Sequence, residues 1–435
     1  MGIEISGAEV QRALAELRRV DPDSAEGAKV AVEALTWRES EDEPVVVNQY
    51  RLQQFLWYEL THKWMAPPDE LREVAQALAA FFDQVGASHY AAICRSPETD
   101  RMIATNGDGW VDLVEASGLE PPDTIVLEWG PLMGVDEAEL RDKAAAFLEG
   151  TIDRGELVPG AAGWRERQAA LTELFLATPN LDGVTPFDVI HGERIEGWLG
   201  HPSDTARRKI LEPALPLIMA PRPDEDQARL AIEPLLWLLG RLDAGVALTQ
   251  TGAFSRQFVR EAVERYPRWW PVTLFGPPNR EAEVLAVEAL HDIVKGLKLA
   301  RRHGRTLHAT KRAHAIRDHP TILLEGLVAQ IAKGEEPVLG GVDVTLALML
   351  RRPTLTHTAL RTRIARAVRL PHMLDETRFR EILPRMLLAY VAGALAPFDG
   401  VERTPDGPPT LTDAGRIVAI EVLRARATAP VRMLM

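Results

Sequence analysis

Hydrophobic residues recur at every third or fourth position along most of this chain, and this spacing is typical of helices with one buried face. The clearest stretch follows Pro67 and Pro68 and ends at Gly86. Its apolar positions form a single helical stripe: Leu71, Val74, Ala75, Leu78, Phe81, Phe82 and Val85. Proline at the start and glycine just past the end match the preferences of helix termini. The pattern therefore predicts a helix over this stretch.

Capping residues predict further helix boundaries, because short polar side chains accept hydrogen bonds from the free N–H groups at a helix start. Asn48 is predicted to cap a helix at 49–62, and Asp136 to cap one at 137–154. Regular strand alternation is nearly absent from residues 1–220. The sequence therefore predicts a mainly α fold.

Two segments in the C-terminal half interrupt the helical pattern with sequences typical of β-hairpins. The first runs from Leu297 to Thr310 around a polar tip at 302–305, and the second covers 400–412. A hairpin that follows three helices is typical of winged-helix modules, which are variants of the helix-turn-helix plan. We therefore predict a mainly α protein with a helical N-terminal domain, tandem winged-helix-like modules and short β-hairpins.

The two modules are predicted to repeat one order of elements. The first contains helix 227–242, strand 246–249, helices 255–266 and 280–295, and the hairpin 297–310. The second contains helices 342–351, 355–370 and 375–396, and the hairpin 400–412. Pro234 and Pro384 fall inside two of these helices, where proline is expected to kink or restart a helix.

The length of 435 residues favours more than one domain. A proline-punctuated polar stretch begins at Pro221, and a second polar break lies near 333–337. We predict three domains: 1–220, 221–333 and 334–435.

Charge is divided unevenly along the chain, which carries a net charge of −13. Residues 1–220 hold 19 Lys and Arg against 39 Asp and Glu, whereas residues 221–435 hold 31 against 24. Such asymmetry suggests a cationic contact surface. The alternative is that the two halves neutralise each other.

Basic residues in the first hairpin region are the first set of predicted nucleic-acid contacts. They are Lys298, Arg301, Arg302, Arg305, Lys311 and Arg312. The preceding helix carries acidic residues that would repel phosphates: Glu281, Glu283, Glu288 and Asp292. We therefore expect contacts from the hairpin of this module rather than from its third helix.

One helix of the second module supplies the other predicted contacts, namely Arg361, Arg363, Arg366 and Arg369. A helix of this kind can reach phosphates and base edges in the major groove. The leading hypothesis is a non-enzymatic regulatory or accessory protein that binds duplex nucleic acid. Two alternatives stay open: an adaptor whose basic face docks an acidic protein partner or its own N-terminal domain, and an enzyme with an unfamiliar site between domains.

Three short segments carry a resemblance to a known module. They are Val246–Gly252, Asn279–Glu281 and Leu297–Arg302. Residues 235–320 resemble a winged-helix-like C-terminal module of high-GC bacterial proteins, some of which carry a plasmid-type Orf3 domain. The resemblance implies no activity.

Common catalytic motifs are missing from the sequence, which has no P-loop, no G-x-S-x-G elbow and no H-E-x-x-H helix. Cys94 is the single cysteine and is expected to be buried and inert. The spacing of His303, His308 and His314 fits no zinc pattern, so we expect neither a metal nor a cofactor. Without a signal peptide or a long apolar run, the expected location is the cytoplasm, with no membrane contact. The sequence leaves the oligomeric state open.

Overall fold

The computed structural model describes residues 2–36, 44–270, 276–332, 340–368, 376–402 and 409–430, with the backbone alone at 376–381. Helices account for 68 % of the residues, and the strands are few and short. The predicted mainly α class is therefore confirmed.

The chain folds into two compact units. The first unit comprises the residues up to Arg194 together with Pro430, and the second unit comprises Ile195–Ala429. The boundary between them falls inside a helix. The division into three domains stays a prediction.

The first unit is a helical assembly with one small two-stranded sheet. Its elements, in chain order, are β1 (Ile3–Ile5), α1 (Gly7–Val20), α2 (Pro22–Thr36), β2 (Val45–Val47), α3 (Gln49–Gln54), α4 (Leu60–His62), α5 (Pro68–Gln84), α6 (Ser88–Cys94), α7 (Pro97–Ala104), α8 (Trp110–Ser117), α9 (Val135–Asp153), α10 (Trp164–Ala177) and α11 (Pro186–Leu199). The strands β1 and β2 pair antiparallel. A π-helical turn, Phe55–Glu59, connects α3 to α4.

Two of the predicted helix termini in this unit are confirmed. The Asn48 side chain caps α3 by accepting a hydrogen bond from the N–H of Arg51 at 2.8 Å. The helix α5 starts after Pro67, and Gly86 just beyond its end has a left-handed φ of 74°. Both termini follow from local side-chain chemistry, which is why the sequence predicts them.

The predicted cap of the long helix α9 is wrong. The helix starts at Val135, and Asp136 lies in its first turn instead of preceding it. The N–H groups of Asp136 and Glu137 donate to the carboxylate of Glu193, at 3.0 and 2.8 Å. Glu193, which is distant in the sequence, therefore caps α9 in place of a local residue. Gly134 provides the space for the Glu193 carboxylate, because a Cβ at position 134 would collide with it.

A buried ion pair joins α9 to α11 within the first unit. Nε and Nη2 of Arg194 donate to the Glu137 carboxylate at 2.9 and 2.6 Å. Both side chains also form hydrogen bonds with the backbone. The N–H of Gly130 donates to the Glu137 carboxylate, and Arg194 donates to the carbonyl of Glu128. A buried pair with this many partners is costly to break by removing one member.

The second unit contains the remaining helices and two small antiparallel sheets. Its elements are α12 (Thr205–Leu211), α13 (Leu215–Ile218), α14 (Glu225–Ala231), α15 (Glu233–Ala244), β3 (Val246–Ala247), α16 (Arg256–Arg265), α17 (Leu285–Gly296), β4 (Ala300–His303), β5 (Thr306–Ala309), α18 (Lys311–Ile316), α19 (Pro320–Ala332), α20 (Gly341–Arg351), α21 (His357–Ala367), α22 (Glu376–Leu395), β6 (Val401–Glu402), β7 (Thr410–Leu411) and α23 (Asp413–Ala427).

Both predicted hairpins form strand pairs at the expected positions. The strands β3, β5 and β4 make a three-stranded antiparallel sheet with β5 in the centre. In its register Leu307 pairs with Val246 on one side and with Arg302 on the other. The strands β6 and β7 pair through Val401 and Leu411.

The prolines in the predicted helices act differently. The predicted helix 227–242 is divided into α14 and α15, because the chain restarts a helix just before Pro234. In contrast, α22 runs without interruption through Pro384. The predicted helix 280–295 begins with a 3₁₀ turn at Glu281–Glu283 and continues as α17.

A single hydrophobic core extends through the second unit, with buried residues from Ile195 to Ala427. The helices α14 and α19 pack against α23, and α20 packs against α22 and α23. Elements from both predicted modules therefore contribute to the same core.

Candidate nucleic-acid interface

The hairpin formed by β4 and β5 has a buried face and an open face. Leu307 is buried in the core, and its cross-strand partner Arg302 lies on the same side but is exposed near the tip. Arg301 pairs with His308 on the opposite side, because cross-strand partners share a face. The turn is made possible by Gly304, whose φ of 61° is left-handed.

Six of the predicted contact residues lie on or directly beside this hairpin, and we call them the hairpin surface: Lys298, Arg301, Arg302, Arg305, Lys311 and Arg312. All six side chains are exposed. Within the described parts of the chain, none of them forms an ion pair with a carboxylate. Arg302 donates through Nε to the carbonyl of Gly304 at 2.8 Å, which orients its guanidinium along the tip. These cations are therefore open to an anionic ligand.

Lys298 occupies a backbone conformation that usually selects glycine. Its φ is 56°, and it follows α17 at the C′ position of a Schellman motif. The N–H of Leu299 donates to the carbonyl of Val294 at 2.8 Å, and the N–H of Lys298 donates to that of Lys295 at 3.0 Å. A left-handed conformation costs a non-glycine residue on the order of 1 kcal/mol. A lysine at this position therefore lowers the stability of the fold relative to glycine. Such strained positions are typical of functional sites, which suggests a functional role for the Lys298 side chain.

Thr310 forms hydrogen bonds to both ends of the hairpin surface. Its hydroxyl donates to the carbonyl of Lys298 at 2.9 Å and accepts from the N–H of Ala313 at 3.2 Å as the cap of α18. Lys311 and Arg312 occupy the first turn of that helix. One threonine therefore fixes the spacing between Lys298 and the two cations that open α18.

Asp243 marks the edge of the hairpin surface. Its carboxylate pairs with the guanidinium of Arg317, and its Oδ1 lies 3.6 Å from Nδ1 of His314. The far end of α18 is consequently neutralised. In the part of the chain that the structure describes, no group of three His, Cys, Asp or Glu side chains is arranged to hold a metal ion.

The acidic residues before the hairpin divide into two sets. Glu288 and Asp292 are exposed on α17, as the repulsion argument requires. Glu281, in contrast, is buried, and its carboxylate accepts from the N–H of Phe254 and lies 2.7 Å from Nδ1 of His291. Glu281 therefore adds no exposed carboxylate, whereas α17 still presents Glu288 and Asp292.

A polar turn that the sequence did not single out as a site lies beside the hairpin tip. This turn, Thr249–Gly252, connects β3 to α16. The N–H of Leu248 donates to the carbonyl of Arg305 at 2.8 Å, and a Cβ on Gly252 would lie 3.2 Å from Nη1 of Arg302. The composition of residues 249–252 indicates a turn, but it does not indicate that this turn lies beside the hairpin tip.

The second set of predicted residues lies on α21. Arg363 and Arg366 are exposed, Arg361 is half-buried, and Arg369 lies outside the described residues. The helix packs on α12, α20 and α22, whereas the first hairpin packs on β3, α15 and α17. The two sets therefore occupy different parts of the second unit.

The surroundings of α21 are devoid of acidic sequence neighbours. Residues 344–374 contain six arginines and no Asp or Glu. Arg351 and Arg352, which close α20 just before α21, are both exposed. This stretch of the chain therefore contributes only positive side-chain charge.

Cys94 is buried, as expected. Burial raises the pKa of its thiol to about 12, so that the thiolate is scarce at neutral pH. A cleft in the first unit contains Glu120 and Arg141, but their side chains pair with each other at 2.5 Å. Neither feature presents an activated nucleophile.

Comparison with protein families places residues 235–322 in a match to the Y4jL N-terminal domain. This range agrees with the region of resemblance in the sequence, 235–320, and it covers most of α15, together with β3, α16, α17, the first hairpin and α18. Comparisons with curated proteins and with solved structures found no match. The winged-helix character of this region and its association with Orf3 domains stay predictions. Among the described helices, none has the length and apolar character that a membrane crossing requires.

Proposed function

We propose that the second unit binds duplex nucleic acid and that its hairpin surface contacts the phosphate backbone. The observation that carries this proposal is the set of six exposed cations on and directly beside one hairpin, without carboxylate partners among the described residues. Phosphate contacts supply most of the sequence-independent affinity of proteins for DNA. The protein would then act as a regulatory or accessory factor rather than as an enzyme.

The order of elements supports a winged-helix-like reading of this region. Helix α15 is followed by β3, α16 and α17, and then by the β4–β5 hairpin, with β5 between β3 and β4 in the sheet. A helix that enters the major groove must bring donors to base edges and cations to phosphates. Because α17 presents Glu288 and Asp292, we assign the contact to the hairpin instead.

We propose α21 as a second contact element. Arg363 and Arg366 are exposed on it, and Thr358 adds an exposed hydroxyl group of the kind that contacts phosphates. An acid-free stretch of 31 residues, 344–374, surrounds the helix in the sequence. Helix contacts from α21 would complement backbone contacts from the hairpin.

The competing proposal is an adaptor that presents the same cations to an acidic protein. Carboxylate ligands would also favour a cationic surface, so charge alone supports both proposals. A duplex differs from an acidic protein in its density of charge, and its binding weakens with salt in proportion to the number of phosphates contacted.

The decisive experiment measures binding of the full chain to a fluorescent random-sequence duplex across a series of salt concentrations starting near about 50 mM. A variant with Arg301→Ala, Arg302→Ala and Arg305→Ala removes three contacts. It should lower the slope of log affinity against log salt by about 2.7, at roughly 0.9 per lost contact.

A matched control removes three arginines that already have carboxylate partners. Arg222, Arg241 and Arg265 pair with Glu325, Glu261 and Glu233 at 2.6, 2.9 and 2.6 Å. Their triple alanine variant should keep the slope of the unmodified chain. If the unmodified chain does not bind at about 50 mM salt, or if both triple variants change the slope equally, the proposal fails. Binding to polyglutamate but not to the duplex would favour the adaptor.

A further inference from the structure

We infer that the polar turn Thr249–Gly252 is a second part of the nucleic-acid contact and that it donates neutral hydrogen bonds to the sugar-phosphate backbone. This inference rests on the proposed function and adds residues to it. It follows from the position of the turn and from its free hydrogen-bonding groups.

The turn is positioned by a backbone hydrogen bond between its preceding residue and the hairpin. The N–H of Leu248 donates to the carbonyl of Arg305 at 2.8 Å, so the turn begins one residue away from the hairpin tip. At its other end, Gly252 has a φ of 91° and lies against Nη1 of Arg302. A ligand that reaches Arg302 and Arg305 must therefore pass next to this turn.

Internal bonds of the turn leave its outer groups unused. The N–H of Gly252 donates to the carbonyl of Thr249 at 3.1 Å, and the N–H of Ala253 donates to the Thr249 hydroxyl at 3.1 Å. Gln250 and Thr251 are exposed. Across the residues that the structure covers, their backbone N–H groups and the Gln250 amide have no protein partner.

The two threonine hydroxyls of the turn lie 3.0 Å apart. Either hydroxyl can donate to the other, and when Thr249 donates, the Thr251 proton is left for an outside acceptor. Threonine and glutamine side chains and backbone N–H groups are common donors to DNA phosphates. Residues 244–260 contain no Asp or Glu, so no carboxylate in this stretch opposes an approaching phosphate.

The chemistry predicts a distinctive salt dependence. Counterion release depends on the number of phosphates neutralised by cations, and a neutral donor neutralises none. Loss of the turn contacts should therefore weaken binding by the same factor at every salt concentration. Loss of a hairpin arginine should instead weaken binding and reduce the slope.

The experiment uses the full chain and the random-sequence duplex. The double variant Gln250→Ala with Thr251→Val should lose about three- to tenfold in affinity, as expected for one or two neutral hydrogen bonds, with an unchanged salt slope. The pair Gln84→Ala with Thr105→Val changes the same residue types at exposed positions in the first unit and should leave binding unchanged. Thermal unfolding confirms that both variants stay folded.

A gain-of-contact variant provides the second measurement. Gln250→Arg places a cation where a phosphate is expected and should raise the affinity and increase the salt slope by about 0.9. If the double variant and Gln250→Arg both bind like the unmodified chain while hairpin variants lose slope, the turn makes no contact and the proposed function stands. If the unmodified chain does not bind the duplex, the proposed function itself fails.

Discussion

The indole Nε1 of Trp198 donates a hydrogen bond to Oδ2 of Asp343 at 3.0 Å. The same carboxylate is also bound by Arg207, at 3.4 Å from Oδ2, and by Nε of Arg426, at 2.5 Å from Oδ1. Asp343 is 2 % exposed, so these three donors replace the water that its charge would otherwise require. Three separate segments of the second unit are thereby joined at one carboxylate.

Removing this carboxylate should destabilise the second unit strongly. Asp343→Ala leaves two guanidinium groups without their partner in a region of low exposure, and breaking a buried pair in this way costs about 3–5 kcal/mol. Chemical denaturation followed by tryptophan fluorescence measures the loss. Asp292→Ala, at an exposed position, is the control and should change stability by less than about 0.5 kcal/mol. Equal stability of the two variants would contradict the role assigned to Asp343.

Lys298 should show opposite effects on stability and on binding. Lys298→Gly relieves the left-handed backbone and should stabilise the protein by up to about 1 kcal/mol, while it weakens duplex binding and lowers the salt slope by about 0.9. Thermal unfolding and the anisotropy titration measure the two effects. Lys298→Arg keeps both the charge and the strain, and it should change neither. A glycine variant that binds as well as the unmodified chain would show that this cation is not used.

Glu193 should matter for the start of α9. Its carboxylate accepts from the N–H groups of Asp136 and Glu137, and loss of a helix cap costs about 1 kcal/mol. Glu193→Ala should therefore lower the free energy of unfolding of the first unit by this amount, as measured with urea. Glu196→Ala, about one turn nearer the end of α11, removes an exposed carboxylate whose partner is Arg208 and serves as the comparison. A neutral Glu193→Ala variant would mean that water caps the helix equally well.

Alkaline pH should destabilise the first unit through Tyr50. Burial raises the pKa of Tyr50 from its ordinary value near 10 to about 12. The unfolded chain therefore loses the phenolic proton first, and the stability present below pH 10 declines as the pH rises from about 10 to 12, by about 2–3 kcal/mol for this residue. Tyr50→Phe should reduce the decline in unfolding free energy between pH 9 and pH 11, as measured with urea at each pH. An identical decline in the variant would assign it to other groups, such as Tyr90, whose pKa burial also raises.

Local chemistry explains which parts of the fold the sequence predicts. The apolar stripe of α5, the cap at Asn48 and the hairpin around Gly304 each depend on residues within one turn or one strand pair. The contacts of Glu193 with α9 and of Asp343 with Trp198 join residues far apart in the chain, and periodicity contains no information on them. Glu281 illustrates the same limit, since its burial depends on where Phe254 and His291 meet it.

The candidate site follows the same division. The cations of the hairpin surface were predicted because charge and a strand pattern coincide in one segment. The polar turn was not, because its proximity to Arg302 and Arg305 arises from β3 pairing with β5 across the intervening helices. Strand pairing is decided by the whole sheet, so a single segment cannot indicate it.

The shared core of the second unit has a consequence for biosynthesis. Because α14 and α19 bury their apolar sides against α23, the earlier helices leave the ribosome long before their last packing partner is made. Their exposed apolar surface must wait for it, and such delayed long-range closure slows folding and invites aggregation. The cationic hairpin would emerge during the same interval. Because the apolar surface is still uncovered at that stage, a nascent chain paused before α23 should recruit chaperones more strongly than a completed one.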